Sequence, residues 1–101
     1  MLANKKDNLK SFKMQSLITR NYQAVVNRGL ITKHTTDEEF FGKLCEELKE
    51  VEDELIEGNE KEMYQELIDL MNVCTNWLHH RGQDVEKLLT DCAIKNENRI
   101  K

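Results

Sequence analysis

Residues 44–71 read LCEELKEVEDELIEGNEKEMYQELIDLM, and the spacing of the apolar residues in this stretch decides the fold. Before Gly58, apolar residues recur every three or four positions, at Leu44, Leu48, Val51 and Leu55. After it, a wider apolar row follows the same period, at Tyr64, Leu67, Met71, Cys74 and Leu78. This period is typical of amphipathic α-helices. Because the connection at Gly58 is so short, we expect the two helices to form an antiparallel hairpin.

Sparse turn signals predict one further helix on each side of this hairpin. Three glycines fall where the helical patterns break, as glycines just past a helix C-terminus do: Gly29, Gly58 and Gly82. A capping box of Thr36 and Glu39 predicts the start of the second helix, and Asp84 is the predicted N-cap of the fourth. The predicted helices cover residues 8–28, 36–57, 60–81 and 84–101.

Size and composition indicate one folded domain. The chain has 101 residues and a mass of 11.9 kDa, and 39% of its residues are hydrophobic, too many for a disordered chain. Neither strand-like alternation nor an internal repeat interrupts the helical pattern. We therefore predict an all-α fold: a four-helix bundle-like subunit with a central antiparallel helix hairpin, formed by residues 1–101 as a single domain that oligomerises.

The sequence leads us to expect neither a transmembrane helix nor secretion. Its longest apolar runs are far too short for a transmembrane helix, and the lysine-rich N-terminus is not followed by an apolar segment of the secretory type. The cysteines, Cys45, Cys74 and Cys92, are odd in number and show no CxxC spacing, which argues against a disulfide scaffold or a zinc ribbon. We expect a cytoplasmic protein with the three cysteines as small core residues.

Charge is distributed unevenly along the chain. Residues 1–36 carry seven basic residues and one acidic residue, whereas residues 37–69 carry fourteen acidic and three basic residues. The acidic segment favours a cation over a nucleic acid as its partner. A nucleic-acid contact through the lysines at positions 5, 6, 10 and 13 is the weaker alternative, because no aromatic residues are interleaved with them.

One acidic residue stands in an apolar row. On a helical wheel, Glu66 falls between Val73 and Trp77, and Asp69 lies just beyond Val73. A carboxylate among apolar side chains costs several kcal/mol unless something compensates its charge. The third predicted helix therefore presents a carboxylate pair that calls for a positive partner.

The spacing about Gly58 brings a second pair of carboxylates level with the first. Glu50 and Glu66 each lie eight residues from Gly58, and Glu47 and Asp69 each lie eleven residues from it. At 1.5 Å per residue, these levels lie about 12 and about 16 Å from the turn. With helix axes about 8–10 Å apart, the four carboxylates can converge on one point. Such a set of oxygen donors favours Mg²⁺, or Mn²⁺, over zinc. A solvated acidic face is the alternative interpretation.

At these residues the sequence resembles a known enzyme family. Glu46-Glu47-Leu48-Lys49-Glu50, followed by Glu66-Leu67-Ile68-Asp69, is similar to the ExxE…ExxD signature of the MazG-like all-α nucleoside triphosphate pyrophosphohydrolases. Downstream, Lys95-Asn96-Glu97-Asn98-Arg99 resembles the closing Lys-Asn-x-x-Arg element of that family. The resemblance covers most of residues 25–101. The related phosphoribosyl-ATP pyrophosphohydrolases share the acidic helix pair. Their substrate is therefore an alternative to an ordinary nucleoside triphosphate.

The resemblance implies a house-cleaning nucleotide hydrolase. Its activity would be Mg²⁺-dependent cleavage between the α- and β-phosphates of a nucleoside triphosphate, releasing a monophosphate and pyrophosphate. The implied metal ligands are Glu47, Glu50, Glu66 and Asp69. Of these, Glu47 and Glu50 are the candidates for orienting the attacking water, and the implied substrate-binding residues are Lys95, Asn96 and Arg99.

Two helices keep apolar surface that a single subunit cannot cover, so a homodimer or homotetramer is expected, with a neighbour closing the nucleotide pocket. Relatives of this type are similar in being dimers or dimers of dimers. A non-catalytic helical interaction or nucleotide-binding module is the alternative function. The upstream tryptophan that stacks on the base in some relatives is missing. Phe40, Phe41 and Trp77 are predicted to be core residues, with stacking on the base as the alternative role.

Overall fold

The computed structural model describes the backbone of residues 2–99 and the side chains of residues 14–99. This backbone forms four α-helices and no strand, which confirms the all-α prediction. The helices are α1 (Leu2–Asn27), α2 (Asp37–Glu57), α3 (Glu60–His80) and α4 (Val85–Glu97). None of the described helices is long and apolar enough to cross a membrane.

The predicted caps define the helix boundaries. The Thr36 side chain accepts a hydrogen bond from the Glu39 backbone N–H at 3.2 Å, and Asp84 does the same for the N–H of Lys87 at 3.0 Å. Gly58 has a φ of 77°, a left-handed conformation that glycine adopts without a steric penalty, and its N–H donates to the Glu54 carbonyl. The hairpin turn therefore needs a glycine at this position.

Two predicted boundaries are wrong. Helix α1 begins at Leu2 rather than at residue 8, because residues 2–7 contain neither glycine nor proline and include two lysines, which favour helix. Helix α4 ends at Glu97 rather than at the C-terminus. Its last turn closes where the Asn98 N–H donates to the carbonyls of Ile94 and Asn96.

Helix α3 is the centre of the subunit. Helix α2 packs against it as the second arm of the hairpin, and α1 packs against it as well. Helix α4 contacts both α1 and α3. All four helices and the loop that leads into α2 contribute to the core, whose buried apolar residues are Ile18, Ile31, Phe40, Val73 and Val85.

The C-terminal end of α3 holds this loop and the start of α2 in place. His80 bridges two elements: its Nδ1 lies 2.8 Å from the Tyr22 hydroxyl of α1, and its Nε2 lies 3.1 Å from the Thr35 carbonyl. The Trp77 indole N–H donates to the Asp37 carboxylate at 2.8 Å, and its ring stacks on Phe40 with 5.9 Å between centroids. These contacts fix the segment that closes one side of the cavity described below.

Several predicted core residues lie at the surface instead. All three cysteines are exposed, as is Phe41, whereas Phe40 is buried as predicted. The apolar row centred on Leu67 is exposed as well, and the neighbouring row of Leu70, Val73 and Trp77 faces the core. The assignment of the cysteines was wrong because Cys74 shares the periodicity of the outward-facing row rather than that of the inward-facing one.

Candidate metal centre and adjoining cavity

Carboxylates from both arms of the hairpin meet between α2 and α3. Oxygen atoms of Glu47, Glu66 and Asp69 all lie within 4.8 Å of one another. Glu50 adjoins this group, because its carboxylate contributes to the raised pKa of Glu66. Glu47, Glu50, Glu66 and Asp69 together are called the acid cluster below.

The register of the hairpin explains the meeting. Glu47 and Glu50 stand one turn apart on α2, and Glu66 and Asp69 stand one turn apart on α3. The turn at Gly58 reverses the chain within two residues, so residues equally far from Gly58 on the two helices lie side by side. The acid cluster is therefore a direct consequence of spacing and of one left-handed glycine.

Two oxygens of the acid cluster lack any partner among the described residues. Glu47 is only 6% exposed, and its Oε2 is buried without a hydrogen bond, as is the Oε2 of Glu66. A buried polar atom left unpaired costs about 1–3 kcal/mol, and more when it is charged. Such oxygens are stabilised by a cation placed between them.

Burial and the crowding of acids raise the pKa of two cluster residues. The pKa of Glu66 rises from 4.5 to about 7, first because of its hydrogen bond with Glu50, then because of burial and the negative charges around it. Burial, with a contribution from Glu50, raises the pKa of Glu47 above its ordinary value although Lys43 opposes this change. Glu47 and Glu66 thus resist carrying a negative charge without a cation.

Lys43 supplies one fixed positive charge at the edge of the acid cluster. Its Nζ lies 3.1 Å from Glu47 Oε1, one turn away on α2, and 3.4 Å from Glu46 Oε2. The hydrogen bond with Glu47 raises the pKa of Lys43. Because this contact uses Oε1, the second oxygen of Glu47 stays free to bind a cation.

A cavity of about 630 Å³ opens beside the acid cluster, within the size range of small-molecule sites. Glu47 and Asp69 lie at its border, and Arg28 and Lys43 add positive charge to its lining. Its apolar lining comes from Val25, Leu30, Ile31, Phe40 and Val73. Two amides of α3, Asn72 and Asn76, also line the cavity, together with Thr35, Glu39 and Glu46 from the loop before α2 and from α2 itself.

The predicted phosphate-binding residues lie elsewhere on the described subunit. Lys95, Asn96 and Arg99 are exposed on and just after the last turn of α4, and none of them lines the cavity. The Asn96 side-chain amide lies 3.7 Å from the Cys92 sulfur, one turn back on the same helix. Within one chain, α4 therefore does not bring these side chains to the acid cluster.

Two amides of this region and the ion pair of Lys43 with Glu47 were not predicted from the sequence. Asn72 and Asn76 follow Asp69 at spacings of three and seven, which places all three side chains on one face of α3. From that spacing alone, both amides could have been predicted to lie beside Asp69. Lys43 precedes Glu47 by four residues, the ordinary spacing of a helical ion pair.

Comparison with known families identifies this arrangement. The model of the family described as phosphoribosyl-ATP pyrophosphohydrolase matches residues 15–96, which include the whole hairpin and the acid cluster. Comparisons with curated proteins and with solved structures found no match. The matched family is the one named above as a substrate variant of the MazG-like enzymes. The chain belongs to the phosphoribosyl-ATP pyrophosphohydrolase family, part of the MazG-like all-α pyrophosphohydrolase superfamily, whose members act on a nucleotide pyrophosphate bond.

Proposed function

We propose that this protein is a Mg²⁺-dependent pyrophosphohydrolase that cleaves a nucleoside triphosphate, or its phosphoribosyl derivative, between the α- and β-phosphates. The products are a nucleoside monophosphate and pyrophosphate. The observation that carries the proposal is the acid cluster, in which three carboxylates lie within 4.8 Å and two buried oxygens have no partner among the described residues. Membership of the family supports hydrolysis of a nucleotide pyrophosphate bond.

The donors of the acid cluster fit a hard divalent cation. All of them are carboxylate oxygens, the ligands that Mg²⁺ and Mn²⁺ prefer, and they would hold the metal through Glu47, Glu50, Glu66 and Asp69. Bound there, Mg²⁺ would neutralise charge on the phosphate oxygens and lower the pKa of a coordinated water. The unpaired Oε2 atoms of Glu47 and Glu66 are the strongest support for this fit.

The two glutamates of α2 have different environments, which suggests different roles. Glu47 is buried and held by Lys43, so its orientation is fixed. Glu50 is exposed and next to Glu66, so we assign it the role of general base, which accepts a proton from the attacking water. The water oxygen then bonds to the α-phosphorus, and the bond from that phosphorus to the bridging oxygen breaks. Its electron pair leaves with pyrophosphate.

Closure of the site from a second copy is part of the proposal. The accessible surface of the chain is 8331 Å², against about 6,000 Å² for a compact monomer of this mass. Large apolar side chains of the hairpin contribute to it, including Leu55, Ile56, Leu67 and Met71. In a homodimer or homotetramer these faces are covered, and α4 of a neighbour can bring Lys95, Asn96 and Arg99 to the phosphates.

Two other functions remain as alternatives to be tested. A helical interaction module, or one that only binds nucleotide, would tolerate loss of the cluster carboxylates without loss of a reaction. A nucleic-acid contact through α1 would depend on the lysines at positions 5, 6, 10 and 13, whose side chains lie outside the described residues. The acidic balance of the chain, with a net charge of −4, opposes that contact. A cytoplasmic location is part of the proposal.

Pyrophosphate release separates these functions. The protein is incubated with each ribo- and deoxyribonucleoside triphosphate and with phosphoribosyl-ATP, with Mg²⁺ or with a chelator, while pyrophosphate and orthophosphate are measured. We expect pyrophosphate to be released only with Mg²⁺. In Glu50→Gln the rate of release should fall by about 10²-fold or more. Glu52→Gln is the matched control, because Glu52 is exposed on the same helix and outside the acid cluster. Equal rates in the two variants would contradict the assigned role of Glu50.

A further inference from the structure

Asn76 is a buried polar side chain that neither the fold nor the acid cluster explains. It is 5% exposed, and its Oδ1 has no hydrogen-bond partner among the described residues. It nevertheless lines the cavity beside the acid cluster. An unpaired buried amide is costly, so a residue of this kind at a cavity wall indicates a ligand that completes its hydrogen bonds.

The neighbouring amide does not fill this role. The Asn72 oxygen accepts a hydrogen bond from the Asn21 side chain of α1 at 3.3 Å. The same lining contains the apolar residues Val73 and Phe40 and the polar residue Thr35. Asn76 is thus the lining amide whose oxygen remains without a partner among the described residues.

Asn76 lies on the same helix as Asp69 of the acid cluster, far enough along it for a nucleotide to reach both. It lies seven residues beyond Asp69 on the same face of the helix, which is about 10 Å along the helix axis. If the phosphates lie at the acid cluster, the opposite part of the nucleotide extends along the cavity towards Asn76. The apolar lining between them suits the faces of a flat ring.

We propose that Asn76 recognises the polar edge of the nucleobase and determines base preference. The inference rests on the proposed function, which places the phosphates of a nucleotide at the acid cluster. A carboxamide has a donor and an acceptor side by side, so it pairs with a ring edge that offers an acceptor beside a donor. Adenine, with an amino group next to a ring nitrogen, is the base for which this amide pairing is best established.

The test measures binding rather than turnover, so that it does not depend on catalysis. The full-length protein is titrated with α,β-imido analogues of ATP, CTP, GTP and UTP in the presence of Mg²⁺, and binding is followed by calorimetry. The variants are Asn76→Leu, which removes both hydrogen-bonding groups, and Asn76→Asp, which keeps the shape and removes the donor. Thr75→Val is the control, because Thr75 is the adjacent residue of α3 and does not line the cavity.

We expect the wild-type protein to prefer the adenine analogue. Both Asn76 variants should bind that analogue about tenfold or more weakly and lose the preference, because the hydrogen bonds to the base edge are gone. Binding of Mn²⁺ alone should be unchanged in both variants. Thr75→Val should retain wild-type affinity and preference. If Asn76→Leu does not fold, as judged by its melting curve, Asn76→Asp decides the question.

Failure of this inference is distinguishable from failure of the proposed function. Unchanged base preference in a folded Asn76 variant overturns the role of Asn76, whatever the protein does to triphosphates. Wild-type protein that binds the analogues without releasing pyrophosphate from natural triphosphates overturns hydrolysis but leaves Asn76 to be judged by binding. Wild-type protein that binds none of the four analogues overturns both.

Discussion

Glu47 of α2 and Glu66 of α3 bring carboxylate oxygens within 4.8 Å of each other across the hairpin, on opposite sides of Gly58 in the sequence. Two acids brought so close share a proton or repel each other. The hairpin therefore stores a repulsion that a divalent cation or a proton relieves. The first two predictions follow from this relationship.

The stability of the metal-free protein should fall as pH rises between about 4.5 and about 7. Folded Glu66 keeps its proton up to a pKa of about 7, whereas unfolded Glu66 loses it near 4.5. In that window the folded state binds more protons, so a rise in pH favours unfolding. Thermal unfolding in a chelator across this range measures the effect. The Glu66→Gln variant should show a weaker dependence, and an equal dependence in both proteins would rule out Glu66 as its source.

Divalent cations should stabilise the protein most where the acid cluster is ionised. At a Mg²⁺ or Mn²⁺ concentration 100 times the dissociation constant, the free energy of unfolding should rise by about 2.7 kcal/mol. The rise should be larger at pH 8 than at pH 5, because protons compete with the metal for Glu66. Glu47→Gln should abolish the stabilisation. Glu46→Gln is the control, since Glu46 is exposed and outside the acid cluster. A cation effect that survives Glu47→Gln would place the metal elsewhere.

Loss of Lys43 should cost more stability than loss of a comparable surface lysine. Lys43→Met removes the 3.1 Å contact to buried Glu47 and should cost about 1–2 kcal/mol, because the buried carboxylate loses its partner. Lys49→Met removes a contact of the same i,i+4 type to half-exposed Asp53 and should cost about 0.5 kcal/mol or less. Urea unfolding of both variants measures the difference. Equal costs would show that burial of Glu47 does not strengthen its ion pair.

Alanine substitutions at two glycines should change stability in opposite directions. Gly58→Ala places a Cβ on a residue with φ of 77° and should cost about 1 kcal/mol or more. Gly42→Ala lies within helix α2, where an added Cβ meets nothing within 4 Å, and should gain about 0.5–1 kcal/mol. Chemical denaturation gives both values. A neutral Gly58→Ala would mean that the hairpin turn does not depend on a left-handed residue.

Assembly should be visible in solution. The exposed apolar row on α3 predicts a dimer or a tetramer at micromolar concentration, measured by sedimentation equilibrium. Leu67→Lys introduces a charge in that row and should weaken the assembly by at least tenfold. Gln65→Lys serves as its control, because Gln65 is an exposed polar residue two positions earlier on α3. A monomeric wild-type protein would contradict the neighbour-closed site.

The hairpin and the acid cluster were predictable because they depend on local rules. Helical period, one glycine and equal spacing from it are enough to bring Glu50 next to Glu66. The caps at Thr36 and Asp84 are equally local. The fold class and the register of the hairpin were therefore accessible from the sequence.

Burial and long-range contacts were less accessible. The period of α3 does not tell which of its two apolar rows faces the core, so Cys74 was assigned to the wrong side. His80 joins Tyr22 to Thr35 across more than forty residues, and no local pattern indicates such a bridge. The cavity around Asn76 depends on the same packing. These features follow from the way the helices meet rather than from any one segment.

The most direct test of the central claim is pyrophosphate release by the wild-type protein compared with Glu50→Gln. Both proteins receive the same panel of nucleoside triphosphates and phosphoribosyl-ATP, with Mg²⁺ and then with a chelator. We predict that the wild-type protein with Mg²⁺ releases pyrophosphate and no orthophosphate from at least one of these nucleotides. The chelated enzyme should release none above background, and the variant should release it about 10²-fold or more slowly. Absence of release with Mg²⁺, or equal release without it, would contradict the account.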